Sequence, residues 1–447
     1  MLFDPAEIET LRKSLDTLAK GFSDLPDFGP DHDYAAIGAV LNEAAKKMQE
    51  NFPYHHPLYA GQMLKPPHPV ARLAYAMSLW LNPNNHALDG GIASSAMEKE
   101  CIANLGSMFG WEKPLGHICG GGTMANLEAL WVAGRLHPGK KIVASEQTHY
   151  THARISDVLS LAFDEAAVSA DGRMDVDSLE KLLSNGDVGT VVVTLGTTGV
   201  GAIDPLPEIL GLRDKHEFRI HVDAAYGGYF HIASKLGADA RRAFDRIREV
   251  DSIVIDPHKH GLQPYGCGCI LFCDPAVGNL YKHDSPYTYF TSDDLHLGEI
   301  SLECSRAGAS AVALWATQKL LPMNPGGEFA RSLDKCLLAA RALWQRLDQS
   351  DSFKCLMMPE IDIVVYAANG DDITDSSCNA REIFARAATQ NLHLALIELP
   401  TNMARHYWPE LTGDEETITC LRSCLMKPEH LDWIEQIFSI LETSAKS

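Results

Sequence analysis

From about residue 90 the chain alternates short apolar runs with stretches of helical period. KIVAS, GTVVVTL, FRIHVD, DSIVID and CGCILF read as strands, each a few branched or apolar residues bounded by polar turns. Among them NLEALWVAGRL, the DSLEKLL stretch begun near Asp175 and PEILGLRDKH carry apolar residues at helical spacing. Ahead of all of these, IASSAMEKECIANLGSMF reads as a helix that ends at Gly110. Apolar strands separated by helices predict βαβ units, and so an α/β domain whose mainly parallel sheet is buried on both faces.

The two ends of the chain follow different patterns. Asp4-Pro5-Ala6-Glu7 reads as an N-cap, a proline in the first turn and an acidic start, followed by Ile8, Leu11, Leu15 and Leu18 at helical spacing. With the loop-like NFPYHHPLYAG and KPPHP it makes residues 1–80 an N-terminal helical arm, and Asn82-Pro83-Asn84-Asn85 stops the preceding helix. Residues 81–325 form the large domain. GASAVALWATQKLL and EFARSLDKCLLAARALWQRL leave its sheet as helices, and IDIVVYAA, NAREIFARAATQ, TITCLRSCLM and a last helix predict a small α+β domain over 326–447.

With 447 residues, 46% of them hydrophobic, the chain can bury a sizeable core without disulfides or metals. A formal charge of −21, from 38 basic and 59 acidic residues, argues against nucleic acid or an anionic membrane as partner. The N-terminus lacks the pattern of a signal peptide, and no apolar stretch is long enough to span a bilayer. Eleven cysteines, an odd and scattered set, suggest reduced thiols and a cytoplasmic location. Cys267, Cys269 and Cys273 lack zinc-site spacing, so no metal is expected.

Four loops at strand ends carry candidate chemistry, and in open α/β sheets such loops converge on one crevice. Gly120-Gly121-Gly122-Thr123 opens a helix; glycines admit close backbone approach and the helix start offers free N–H groups, which suits a phosphate or is an ordinary glycine-rich turn. Asp223, followed by Ala224 and Ala225, can set a carboxylate beneath a flat ligand or merely cap a turn. Lys259 lies between His258 and His260 after DSIVID, where neighbouring cations and partial desolvation would favour the neutral amine that imine formation needs. His149, after KIVAS, can stack on an aromatic ligand or be structural.

Taken in order, GGGTMANLEAL, THYTHAR, GTTGVGAIDP, HVDAAYGGY and DPHKHG resemble the group II pyridoxal phosphate (PLP)-dependent amino-acid decarboxylases. The likeness runs from His56-Pro57, through NPNN and SSAMEKE, to SRAGA and TCLRSCL. It implies the α/β fold of the PLP-dependent transferases (fold type I, the aspartate aminotransferase fold), with a sheet of seven-stranded type. It also implies a homodimer with active sites at the interface. By the same likeness Lys259 would carry PLP as a Schiff base, with His258 holding phosphate or substrate, and Asp223 would pair with the pyridinium nitrogen. His149 and Ala225 would sandwich the ring, Gly122 and Thr123 would bind phosphate, and Thr198 would line the cofactor. Arg422 would meet the substrate carboxylate, or else form an ion pair inside the small domain. Tyr287 or Tyr289 would be the general acid. The implied reaction turns an L-amino acid into its amine and CO2 through an external aldimine and a quinonoid. A carbon–carbon lyase, a transaminase, an aldehyde-forming decarboxylase and a non-catalytic relative stay open. His260, where aromatic amino-acid decarboxylases carry an aromatic residue, and the short segment from Asp274 to Arg306 leave the substrate side chain open as well.

Overall fold

The computed structural model describes residues 4–26, 29, 31–86, 88–282 and 301–446. Its larger sheet has seven strands: β1 Leu115–Cys119, β2 Lys141–Ser145, β3 Phe163–Ala166, β4 Val188–Thr194, β5 Arg219–Asp223, β6 Ser252–Ile255 and β7 Gly268–Phe272. They lie in the order β1-β7-β6-β5-β4-β2-β3. β3, β2, β4, β5 and β6 are parallel, and β7 runs antiparallel to both β6 and β1. The central strands are apolar without alternation because both faces are covered: every residue of β1, β4, β6 and β7 is buried.

Those directions decide where the chemistry can gather. β1 is parallel to β6 across the reversed β7, so the carboxyl ends of β1, β2, β4, β5 and β6 share one edge of the sheet. A second sheet, entirely antiparallel, is formed by β8 Phe353–Cys355, β9 Ile363–Ala368, β10 Ala395–Pro400 and β11 Thr417–Cys424 in the order β10-β11-β9-β8. Helices Glu328–Asp348, Ile373–Thr389 and His430–Lys446 enclose its core with Leu343, Ile383 and Ile437.

Local signals land where the sequence put them. Asp4 caps helix Pro5–Lys20 by accepting from Ala6 N at 2.9 Å, and Asp175 caps helix Val176–Leu183 by accepting from Ser178 N at 2.7 Å. Gly110 ends its helix region with φ +82°, a left-handed backbone that favours glycine.

The dispersed motifs NPNN, SSAMEKE and SRAGA meet in one buried polar knot. Glu98, wholly buried, accepts from Asn85 Nδ2 at 2.7 Å, Ile118 N at 2.8 Å and Arg306 Nη1 at 2.7 Å. Arg306 also donates to the carbonyls of Asn85 and Ile118, so the knot ties helix Ile92–Met108 to β1 and to the start of helix Gly308–Leu320.

Among the described residues no helix is long and apolar enough to cross a membrane. All the cysteines are free.

Candidate active site

The loops at the shared strand edge enclose a cavity of about 570 Å³. Gly122, Thr123, His149, Thr198, Asp223, Ala225, His258 and Lys259 all line it. Arg422 does not, and Tyr287 and Tyr289 lie outside the described residues.

The glycine turn follows β1 and starts helix Gly122–Leu136, whose first turn has no side-chain cap. Its leading N–H groups therefore remain available to an anion. Gly121 has φ +147°, and Gly268 opposite lacks a Cβ that would stand 2.5 Å from the Gly121 backbone. Two glycines thus let the turn press against β7.

Asp223, at the end of β5, is fixed from three sides. Its Oδ1 accepts from Ala225 N at 3.0 Å, and its Oδ2 meets Asn126 Nδ2 at 3.1 Å and His152 Nε2 at 2.8 Å. Burial pushes its carboxyl up, but the bonds from His152 and Ala225 and the charge of Lys259 outweigh that and hold it below the ordinary carboxylate range. Asn126 is oriented in turn: its Oδ1 accepts from His221 Nε2 at 2.9 Å, and His221 Nδ1 accepts from Ser252 Oγ at 2.9 Å. Burial lowers His221 to about 3, which matches this single-proton tautomer.

Lys259 departs from the sequence expectation in its surroundings. Its Nζ lies 3.1 Å from Asp256 Oδ2, an anion rather than a cation. Residues 256–259 form a tight turn, with Lys259 N bonded to Asp256 O at 2.9 Å, and His258 Nε2 lies 3.6 Å from the same Asp256 Oδ2. His258 bonds through Nδ1 to the Cys267 carbonyl at 2.9 Å, and its ring lies 4.8 Å from that of Tyr265. His260 turns into the core against Tyr226 and Phe230, 3.1 Å from Asp362. His149 is held by Thr151 Oγ1 at 2.8 Å, and burial lowers its pKa.

Arg422, on β11, is 7% exposed, and its Nη2 lies 3.3 Å from Cys424 Sγ. No ion pair to a carboxylate forms there among the described residues, so the alternative of an ion pair inside the small domain is not met.

The sequence reading missed Asn126, His152, His221 and Asp256. Asn126 lies one helical turn beyond Gly122, and His152 lies three residues beyond His149, so helical spacing was the available signal. Asp256 belonged to the quoted DPHKHG, yet nothing local says which side chain it faces.

A lysine at a strand end, a fixed carboxylate and an uncapped helix start in one crevice define a class of enzyme built around a phosphorylated, electron-withdrawing cofactor. The chain belongs to the pyridoxal-dependent decarboxylases, whose conserved-domain model matches residues 133–369. It is 33% identical over 310 residues to a probable L-tyrosine/L-aspartate decarboxylase of Methanothermobacter thermautotrophicus, covering 68% of this chain and 82% of that protein. It is 27% identical over 434 residues to the L-tyrosine decarboxylase of Enterococcus faecium, covering 74% and 70% of the two chains. In fold it resembles the crystal structure of Oryza sativa TDC with PLP and tryptamine, with a TM-score of 0.79 at 15% identity over 100% of this chain and 99% of that one. The enzyme is a PLP-dependent amino-acid decarboxylase. The donor set fits the cofactor: an amine for its aldehyde, an anion for its ring nitrogen and open backbone N–H groups for its phosphate.

Proposed function

We propose that the chain converts one L-amino acid into carbon dioxide and the matching amine in the cavity that holds Lys259. The observation that carries this reading is the convergence of Lys259, Asp223, His149 and the Gly121–Thr123 turn on a single cavity. Bound there, PLP supplies an electron sink for the pair of electrons left at Cα when carbon dioxide departs. Asp223, kept anionic, holds a proton on the ring nitrogen. Gly122 and Thr123 would anchor the phosphate at the helix start, helped by His258, and Thr198 lines the same cavity. His149 and Ala225, which both line the cavity, would flank the ring. Lys259 offers the amine, and Asp256 beside it can hold the proton that this amine gives up on reacting.

Arg422 is the proposed partner of the substrate carboxylate, supported by its burial without an ion-pair partner among the described residues. The names of the relatives make tyrosine and aspartate the first substrates to offer.

The chain is also proposed to act as a homodimer in the cytoplasm, divided as 1–80, 81–325 and 326–447. No residue of helices Pro5–Lys20 and Tyr34–Met48 is buried, and they expose Ile8, Tyr34, Val40 and Leu41. A partner subunit would cover such faces. Light scattering on the PLP-loaded protein tests this, and a monomer at assay concentration overturns it.

The test of the activity is to offer PLP-loaded enzyme each common L-amino acid and to follow carbon dioxide and amine together. Equimolar release from one substrate supports decarboxylation. An aldehyde, a keto acid or a cleaved side chain without that stoichiometry assigns the scaffold to another PLP reaction.

A further inference from the structure

A second cavity, of about 370 Å³, lies between the KPPHP segment, helix Glu328–Asp348 and the turn that follows β11. It shares no lining residue with the cavity of Lys259. Two lysines line it, Lys65 at 9% exposure and Lys427 at 6%. Lys65 Nζ donates to the Met426 carbonyl at 3.1 Å, and Lys427 Nζ donates to the Tyr59 carbonyl at 2.6 Å. Neither forms an ion pair among the described residues. An ammonium has three donors, so each amine keeps donors beyond its carbonyl, with Lys427 Nζ also 5.4 Å from the Tyr59 ring.

Two buried amines that feel one another and form no ion pair among the described residues are costly. Burial and then the nearby Lys65 bring Lys427 down to about 7, and burial lowers Lys65 as well. The acidic lining residues, Glu328 and Glu429, are exposed at the mouth, where water screens them. Asp362 acts on Lys65 from beneath but is committed to Tyr226 and His260. His430, which backs Lys427, is lowered by burial to about 3 and adds no charge at neutral pH. Cys336 is pushed up by burial and stays a neutral thiol, His68 is lowered by burial, and His55 stands exposed at the opening. The wall beside the amines is apolar: Leu262, Phe329 and Leu333.

We propose that this cavity is a second ligand site, taking a small organic oxyanion whose carboxylate or phosphate sits on Lys65 and Lys427 and whose apolar body lies against Leu262, Phe329 and Leu333. The anion supplies an ion-pair partner at the amines themselves, so its binding draws protons onto them. The site stands apart from the decarboxylation chemistry, and the two readings can fail separately.

The test is calorimetric titration of PLP-loaded enzyme at pH 6.5 with benzoate and with phenyl phosphate, on wild type, Lys65→Met and Lys427→Met. Methionine keeps the length of the stem and removes the charge. Expected is saturable binding of at least one probe, weakened about 10-fold or more in each variant, as befits loss of a charge-assisted contact. The absorbance of the lysine-bound cofactor should be the same in all three proteins. Benzoate alone names a carboxylate, phenyl phosphate alone a phosphate, and both an oxyanion in general. Binding of neither, or binding that survives both substitutions, overturns the proposal. Should a variant fail to fold, the wild type still decides. Its affinity should fall between pH 6.5 and 9 with proton uptake on binding at the middle of that range, and an affinity flat with pH overturns the site.

Discussion

His152 Nε2 stands 2.8 Å from Asp223 Oδ2, with both side chains buried. It is one of three bonds that fix the anion, with Asn126 and Ala225. His152→Phe leaves the other two in place. Loss of one charge-assisted bond is worth about 1.5–3 kcal/mol, so kcat should fall roughly 10–100-fold. PLP affinity should drop, and the pH dependence of the bound-cofactor absorbance should move. His152→Gln, which keeps a donor, should recover part of both. An unchanged spectrum across pH in the Phe variant would limit His152 to packing.

Asp223→Asn removes the negative charge while keeping the shape. Turnover is expected to fall roughly 10²–10³-fold, the usual cost of losing one preorganised electrostatic partner. Lys259→Ala should abolish both turnover and the absorbance of the lysine-bound cofactor. Retained turnover in the alanine variant would remove Lys259 from the mechanism.

Arg422→Gln should raise KM for the amino acid about 10-fold or more with little change in PLP affinity, because a guanidinium–carboxylate contact is lost. Arg422→Lys should restore only part, since an ammonium cannot reproduce the two-pronged geometry. A KM that does not move assigns Arg422 to the packing of the small sheet.

Glu98 is the hub of the buried knot with Arg306, Asn85 and Ile118. Glu98→Ala removes the buried carboxylate that accepts from Arg306, Asn85 and Ile118 N and should cost about 3–5 kcal/mol, read by chemical denaturation. Simultaneous replacement of Glu98 and Arg306 by apolar residues should cost less than the single change. A single change that costs as little as the pair would remove the knot from the list of what holds these segments together.

Acid should weaken the fold below about pH 6.5. Burial lowers His231 to about 4, and His221 and His430 to about 3, whereas the unfolded chain takes up these protons near 6.5. The unfolded state therefore binds more protons in that window, and stability falls as pH drops, by about 1.4 kcal/mol per pH unit for each proton. Asp204 acts in the opposite sense. Burial raises it to about 7, so between there and its ordinary value the folded state holds a proton that the unfolded state lacks. Three histidines against one aspartate leave a net loss toward acid. His231→Phe, next to Phe109 and Phe244, should flatten the loss between pH 6.5 and 4, as seen in denaturant midpoints at several pH values. An equal slope in wild type and variant contradicts the assignment.

The sequence by itself determined whatever depends on a few consecutive residues. The caps at Asp4 and Asp175, the apolar runs of the central strands and the glycine turn are local, because propensity and hydrogen bonding act within a turn or two of chain. The motifs also pointed to the family. Tertiary structure alone decided which groups face one another. β7 reverses direction although its apolar run looks like those of the parallel strands, because direction is set by the connection and not by the run. Lys259 meets Asp256 across a tight turn that His258 shares, while His260 is turned into the core. Asp223 is held by His152, from a different strand loop, and Lys65 and Lys427 come together from opposite ends of the chain. The last two pairings join segments that are distant in sequence, which only packing into a common core brings together.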